Sequence, residues 1–434
     1  MAYKQAKEAF VAHNPGSSIV TRTTSYILYA SLVTKRPSPV KDYLTTFLPL
    51  LLGQTFFCSH PITYNVLLPT LAFLFRLTQD ASAQARPQAV KEPRHRPFLT
   101  TWRAHMMLMT TIAILAVDFP IFPREFGKTE DWGTSLMDVG VGSFVFSQGL
   151  AASSSAAEAK LGKTLKKCVP VVGLGMIRVV MVKGVDYPEH VTEYGVHWNF
   201  FFTLAGMPVL AALLSPLRRR IPGLALVGLL LAAHSLALYG GLEEWVMATE
   251  TTSRRGLSLL AQNKEGIVSL PGYLAIYLLG ADVGRVVIPR KTDPQDNEND
   301  TRMTRSLATY AAVSWTMLFI FRQSGVAVSR RLTNAPYVLW TTSFNATFLL
   351  GYLLIERYGF PRGVSGAGKV PPLLEAVNKN GLVVFLLANL LTGLVNVSME
   401  TMYASDGVAV AVLFAYTAVL SGVAWGLRGV RVGF

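Results

Sequence analysis

Residues 222–240 read PGLALVGLLLAAHSLALYG, a run in which His234 is the only acidic or basic side chain. A helix must carry about 20 consecutive apolar residues to cross the hydrocarbon of a bilayer. This stretch meets that requirement. Comparable runs lie near 18–34, 43–59, 62–78, 98–119, 133–152, 168–184, 197–216, 266–284, 306–321, 334–355, 381–397 and 407–427, so the reading is thirteen spans. Backbone groups in hydrocarbon must pair within their own segment unless a barrel closes, and barrel strands are short and alternating in character. Nothing here alternates in that way, so the expected fold is all-α, a polytopic integral membrane protein of about 13 transmembrane helices in a single domain over 1–434.

The composition agrees. The chain is 51% hydrophobic and 15% charged with a mean hydropathy of +0.37, against about 25% charge in a soluble chain. Its two cysteines, Cys58 and Cys168, are too few for a disulfide framework and lack metal-ligand spacing. No metal site is expected. The net charge of +14 comes from Lys and Arg scattered among short hydrophilic breaks rather than gathered on one segment, so no nucleic-acid partner is expected. The first seventeen residues have no long apolar core after a basic start, so no cleavable signal is expected.

Cytosolic loops are the richer in Lys and Arg. The loops after odd-numbered spans, with the C-terminal tail, hold more than twice as many as the opposite side. The expectation is therefore a luminal N-terminus and a cytosolic C-terminus. Two longer hydrophilic breaks, 79–97 and 289–303, read as flexible cytosolic connectors.

Ionisable residues at membrane depth are candidates for function. Asp118 closes the apolar run of the fourth span, where Pro120 and Pro123 end the helix. Lys128 follows ten residues on. Asp138 stands near the start of the fifth span beside Gly140 and Gly142, and Arg178 and Lys183 lie toward the luminal end of the sixth. The next loop supplies Glu193, His197, Trp198 and Asn199, and the start of the ninth span supplies Asn263, Lys264 and Glu265. All converge on the luminal face. A half-buried carboxylate can act as general base toward a hydroxyl, and a nearby cation can stabilise the oxyanion of acyl transfer. The bland reading of the same set is helix-end ion pairs and caps that pin short loops. There is no G-x-S-x-G elbow, no phosphate-binding glycine loop and no H-E-x-x-H, so no nucleophilic serine is nominated.

Two stretches carry a resemblance: DFPIFPREFGKTEDWGTSLMDVGVGSFVF, from Asp118 to Phe146, and YPEHVTEYGVHWNFFFTL, from Tyr187 to Leu204. They closely resemble the inositol acyltransferases of GPI-anchor biosynthesis, the family of the GPI-anchored wall transfer protein and phosphatidylinositol-glycan class W. Weaker similarity runs through KEAFVAHNPGSS near the start and QNKEGI at 262–267.

The resemblance implies transfer of a fatty acyl group, usually palmitoyl from palmitoyl-CoA, to an inositol hydroxyl of glucosaminyl-phosphatidylinositol in the endoplasmic reticulum membrane. It implies no cofactor beyond the acyl-CoA co-substrate and no obligate protein partner. The family's catalytic pair falls on Asp118 and Lys128, with Asp138, Arg178, Lys183, Glu193, His197, Trp198, Asn199 and Asn263 lining the substrate site. Since acyl-CoA is cytosolic, its head would be held by basic loops such as Lys160 to Lys167 or Arg218 to Arg220. The rival reading is a multi-span lipid or solute transporter or flippase.

Overall fold

The computed structural model describes residues 3, 7, 10, 38–64, 66–68, 70, 96–153, 161–184, 191–248, 258–288, 296–359 and 370–432. Among the described residues there is no β-strand. The longer helices, in chain order, are α1 (Pro39–Gln54), α2 (Pro97–Ala116), α3 (Leu136–Ala152), α4 (Leu161–Gly184), α5 (Phe200–Leu213), α6 (Gly223–Met247), α7 (Lys264–Val287), α8 (Asp296–Gln323), α9 (Ala335–Tyr358), α10 (Pro372–Lys379), α11 (Gly381–Ser398) and α12 (Asp406–Gly426).

Helix starts follow local chemistry. Pro39, Pro97 and Pro372 open their helices, where the missing N–H costs nothing. Ser135 and Asn199 cap α3 and α5, their side-chain oxygens accepting from the N–H groups of Asp138 and Phe201. Near its end α6 takes a π-type turn over Leu238–Leu242, where Gly241 adopts φ +106°, a left-handed conformation that a side chain resists.

Among the described residues five helices are long and apolar enough to cross a membrane: α6, α7, α9, α11 and the stretch Asp406–Gly429. Helices α3 and α5 are apolar but shorter. The chain is thus an integral membrane protein of helical type. The count of thirteen is an expectation that these helices do not establish. The first span, 18–34, and most of 62–78 lie outside the described residues. Of the connectors, 79–95 and 289–295 also lie outside them. Residues 296–303 are helical, within α8, instead of flexible chain.

The described chain divides into two compact units. One holds Met1–Gly16 and Lys128–Ala346, the other Ser17–Gly127 and Thr347–Phe434. In the first, α7 is the core helix: 83% of its apolar window is buried, against 22% for α6, whose apolar sides are free to meet lipid. Helices α3 and α7 touch backbone to backbone. A Cβ at Gly149 would overlap the Tyr277 carbonyl, and one at Gly280 the Phe146 carbonyl, so glycine alone permits the crossing.

In the second unit α2 packs with α1, α10 and α11. Polar ties pin these apolar surfaces in register. Tyr43 Oη lies 2.8 Å from Thr417 Oγ1, Tyr416 Oη donates to the Thr111 carbonyl at 2.7 Å, and Glu356 Oε2 accepts from the Phe98 N–H at 2.8 Å. His105 Nδ1 and Tyr352 Oη form a buried pair 2.5 Å apart.

Candidate active site

The second unit holds Asp118. Its carboxylate is 5% exposed and accepts from Asn396 Nδ2 of α11 at 2.8 Å, while Asn396 Oδ1 accepts from Thr401 Oγ1 at 3.3 Å. The chain turns sharply after α2 because Pro120 and Pro123 cannot continue it, and Phe119 and Phe122 plug the turn with no exposure. Arg124 wraps back over the helix end, donating to the carbonyls of Val117 at 2.8 Å and of Phe119 and Phe122 at 3.0 Å. A cation at the C-terminal end of a helix also suits its dipole. Burial pulls the Arg124 guanidinium down to about 10, opposed by the Asp118 charge.

The first unit holds Lys128 and a larger ionic cluster. Lys128 Nζ contacts Glu193 Oε1 at 2.5 Å. Glu193 also lies 3.8 Å from Arg330 Nη1, and Arg330 Nε donates to Asp138 Oδ1 at 2.7 Å. The other Asp138 oxygen accepts from the Thr129 N–H at 3.1 Å and hydroxyl at 2.7 Å. Beside it Arg331 contacts Asp131 at 2.6 Å and Glu265 at 3.0 Å. Lys264 Nζ, fully buried, donates to the carbonyls of Trp245 at 2.8 Å and Ala248 at 3.1 Å.

The electrostatics follow from this geometry. Burial pushes the Glu193 carboxyl up, but Lys128, Arg330 and Arg178 outweigh it and hold the group down to about 2. Burial likewise opposes the charge on Arg330, and the carboxylates of Asp138 and Glu193 more than offset it, so its guanidinium titrates well above the ordinary range. Both arginines of the pair are nearly inaccessible, at 4% and 5% exposure. Lys128 is 36% exposed, so it is more open than either arginine of the pair.

Within the second sequence motif, residues 195–198 fold around Asn263. Its Oδ1 accepts from the His197 N–H at 2.9 Å and the Trp198 N–H at 2.8 Å, which fixes the loop that bears Glu193. Gly195, at φ +120°, lets the chain approach Asn263 closely, and the Trp198 ring lies flush on Gly266 where a Cβ would overlap it. Trp198 Nε1 donates to Thr203 Oγ1 at 2.9 Å, and Asn199 Nδ2 donates to the Gly175 carbonyl at 3.0 Å.

Lys128, Asp138 and Glu193 therefore meet through Arg330, and Asn263 joins His197 and Trp198 through backbone contacts. Asn199 acts as a helix cap tied to α4. Arg178 is exposed on α4, with its charge felt at Glu193, and the side chain of Lys183 lies outside the described residues. Sequence reasoning missed Arg330, Arg331 and Asn396. The arginine pair was legible only as two adjacent basic residues on the side otherwise poor in them. Among the described residues no group of three or more His, Cys, Asp or Glu could hold a metal ion.

Fold and site together define an integral membrane protein that gathers acids and bases at the ends of its helices. The GWT1 family model matches residues 3–427. Similar proteins are each called GPI-anchored wall transfer protein 1. That of Aspergillus oryzae is 39% identical with 98% of both chains covered, and that of Candida albicans 36% with 95% of both covered. That of Cryptococcus neoformans var. grubii is 46% identical over 81% of this chain but only 65% of its own length. The chain belongs to the GWT1 family.

Proposed function

We propose that this protein is a membrane O-acyltransferase of GPI-anchor biosynthesis, moving a fatty acyl group, palmitoyl or similar, from acyl-CoA to an inositol hydroxyl of glucosaminyl-phosphatidylinositol. The observation that carries the reading is family membership over nearly the whole chain, with relatives named for GPI-anchored wall transfer. In this reading the protein lies in the endoplasmic reticulum membrane as a multi-pass chain, with its N-terminus luminal and its C-terminus cytosolic. Acyl-CoA is the co-substrate and no metal takes part.

In this reading Asp118 accepts the proton of the inositol hydroxyl as its oxygen attacks the thioester carbonyl. Lys128 stabilises the oxyanion, the C–S bond breaks, and the proton passes to the departing thiolate, giving ester and free CoA. Joining the two residues in one reaction rests on the resemblance of the segment that contains both. Each has surroundings suited to its part. Asn396 orients the Asp118 carboxylate, and Glu193 holds an ammonium that is still open to solvent.

Purified protein incubated with labelled palmitoyl-CoA and a glucosaminyl-phosphatidylinositol analogue should yield acylated lipid. Asp118→Asn should lower that rate at least about a hundredfold while the melting temperature holds. Full activity in this variant would remove the base.

A further inference from the structure

Helix α7 carries an ionic cluster near each end. Glu265, at its start, belongs to the cluster described above. Asp282 stands seventeen residues further on, about 25 Å along the axis at 1.5 Å per residue, close to the thickness of a bilayer core, about 30 Å. The second cluster therefore lies toward the opposite membrane face.

Asp282 Oδ1 is 3.0 Å from Arg285 Nη1 and 3.9 Å from Arg218 Nη2. Its other oxygen presses on the backbone at Gly223, the first residue of α6, where a Cβ would overlap it. Two guanidiniums face one carboxylate, which leaves positive charge in excess. Arg219 and Arg220, next in the chain, are both exposed and add to it. The Arg218 side chain is only 6% exposed, and among the described residues neither of its terminal nitrogens finds a hydrogen-bond acceptor.

The buried arginines of the first ionic cluster each keep a carboxylate within hydrogen-bond range, Arg330 with Asp138 at 2.7 Å and Arg331 with Glu265 at 3.0 Å, although Arg330 Nη1 itself stands 3.8 Å from Glu193. At Arg218 the carboxylate stays out of hydrogen-bond range, and buried N–H groups left unmet are costly. A planar fork of donors with surplus positive charge matches the oxygens of a phosphate.

We propose that Arg218 and Arg285, with Arg219 and Arg220 at the entrance, bind a phosphate-ester anion. Two sources share that chemistry, the CoA part of the acyl donor and a phospholipid headgroup. The first rests on the function proposed above; the second does not. Full-length protein in maltoside detergent separates them, with coenzyme A titrated calorimetrically and co-purified phospholipid read by native mass spectrometry. Arg218→Gln should weaken coenzyme A binding by about tenfold or more, or strip the retained phospholipid, and Arg218→Lys should not restore it because a lysine lacks the fork. Weaker coenzyme A binding with lipid retained assigns the acyl donor, and the reverse assigns the lipid. Should Arg218→Gln fail to fold, Arg285→Gln reads the same quantities, since that side chain is 38% exposed. Unchanged binding of both ligands in a folded variant, or wild-type protein that holds neither, overturns the site. Protein that binds coenzyme A here yet transfers no acyl group overturns the acyltransferase reading and leaves this site standing.

Discussion

The Arg330 guanidinium and the Asp138 carboxylate, 192 positions apart in sequence, meet at 2.7 Å with 4% and 0% of their side chains exposed. Removing one partner of such a pair strands a buried charge, at a cost of about 3–5 kcal/mol. Arg330→Met should therefore lower the melting temperature of the purified protein sharply. Adding Asp138→Asn should recover part of the loss. If the single variant melts like wild type, the pair does not hold this unit together.

Glu193 gives the fold an acid limit. Its carboxyl is held at about 2 against an ordinary value of 4.5, so it binds fewer protons folded than unfolded. The stability it contributes is fully present above about pH 4.5 and is lost as pH falls from there toward 2. Thermal melts should stay level from pH 7 to about 5 and then decline. Glu193→Gln should start lower and lose less over the acid range. Parallel curves for the two proteins would contradict the linkage.

Asn396 reaches Asp118 across 278 positions. As the donor that orients the carboxylate, it should affect turnover more than substrate affinity. Asn396→Leu is expected to cut kcat by about tenfold with KM nearly unchanged, as loss of one hydrogen bond to a charged group implies. A rise in KM alone would make it a binding residue instead.

The contact of α3 with α7 depends on absent side chains. At Gly280 an added methyl meets the Phe146 carbonyl, backbone that cannot rotate aside. Gly280→Ala should cost about 1–3 kcal/mol, and Gly280→Val more. Gly228→Ala, with open space around it, is the control and should not lower the melting temperature.

Much of this was legible along the chain. Runs such as 222–240 announce membrane helices because hydrocarbon demands a minimum apolar length, and α6, α7, α9 and α11 stand where those runs were read. Local signals also held where a neighbour satisfied them: Ser135 and Asn199 begin helices because their side chains reach N–H groups only a few positions away. The segment 289–303 was misjudged in its second half because acidic composition reads as solvated chain, although residues 296–303 are helical.

Sequence alone thus determined that the protein is helical, that it belongs in a bilayer, and to which family it is related. Those properties depend on composition and spacing within one segment. Only the tertiary structure decided that Glu193 pairs with Lys128, that Arg330 and Arg331 between them contact four carboxylates, that Asn396 addresses Asp118, and that Arg218 has donors unmet among the described residues. Ion pairing falls off over a few ångströms of space, and distance along the chain carries no record of which helix ends will meet.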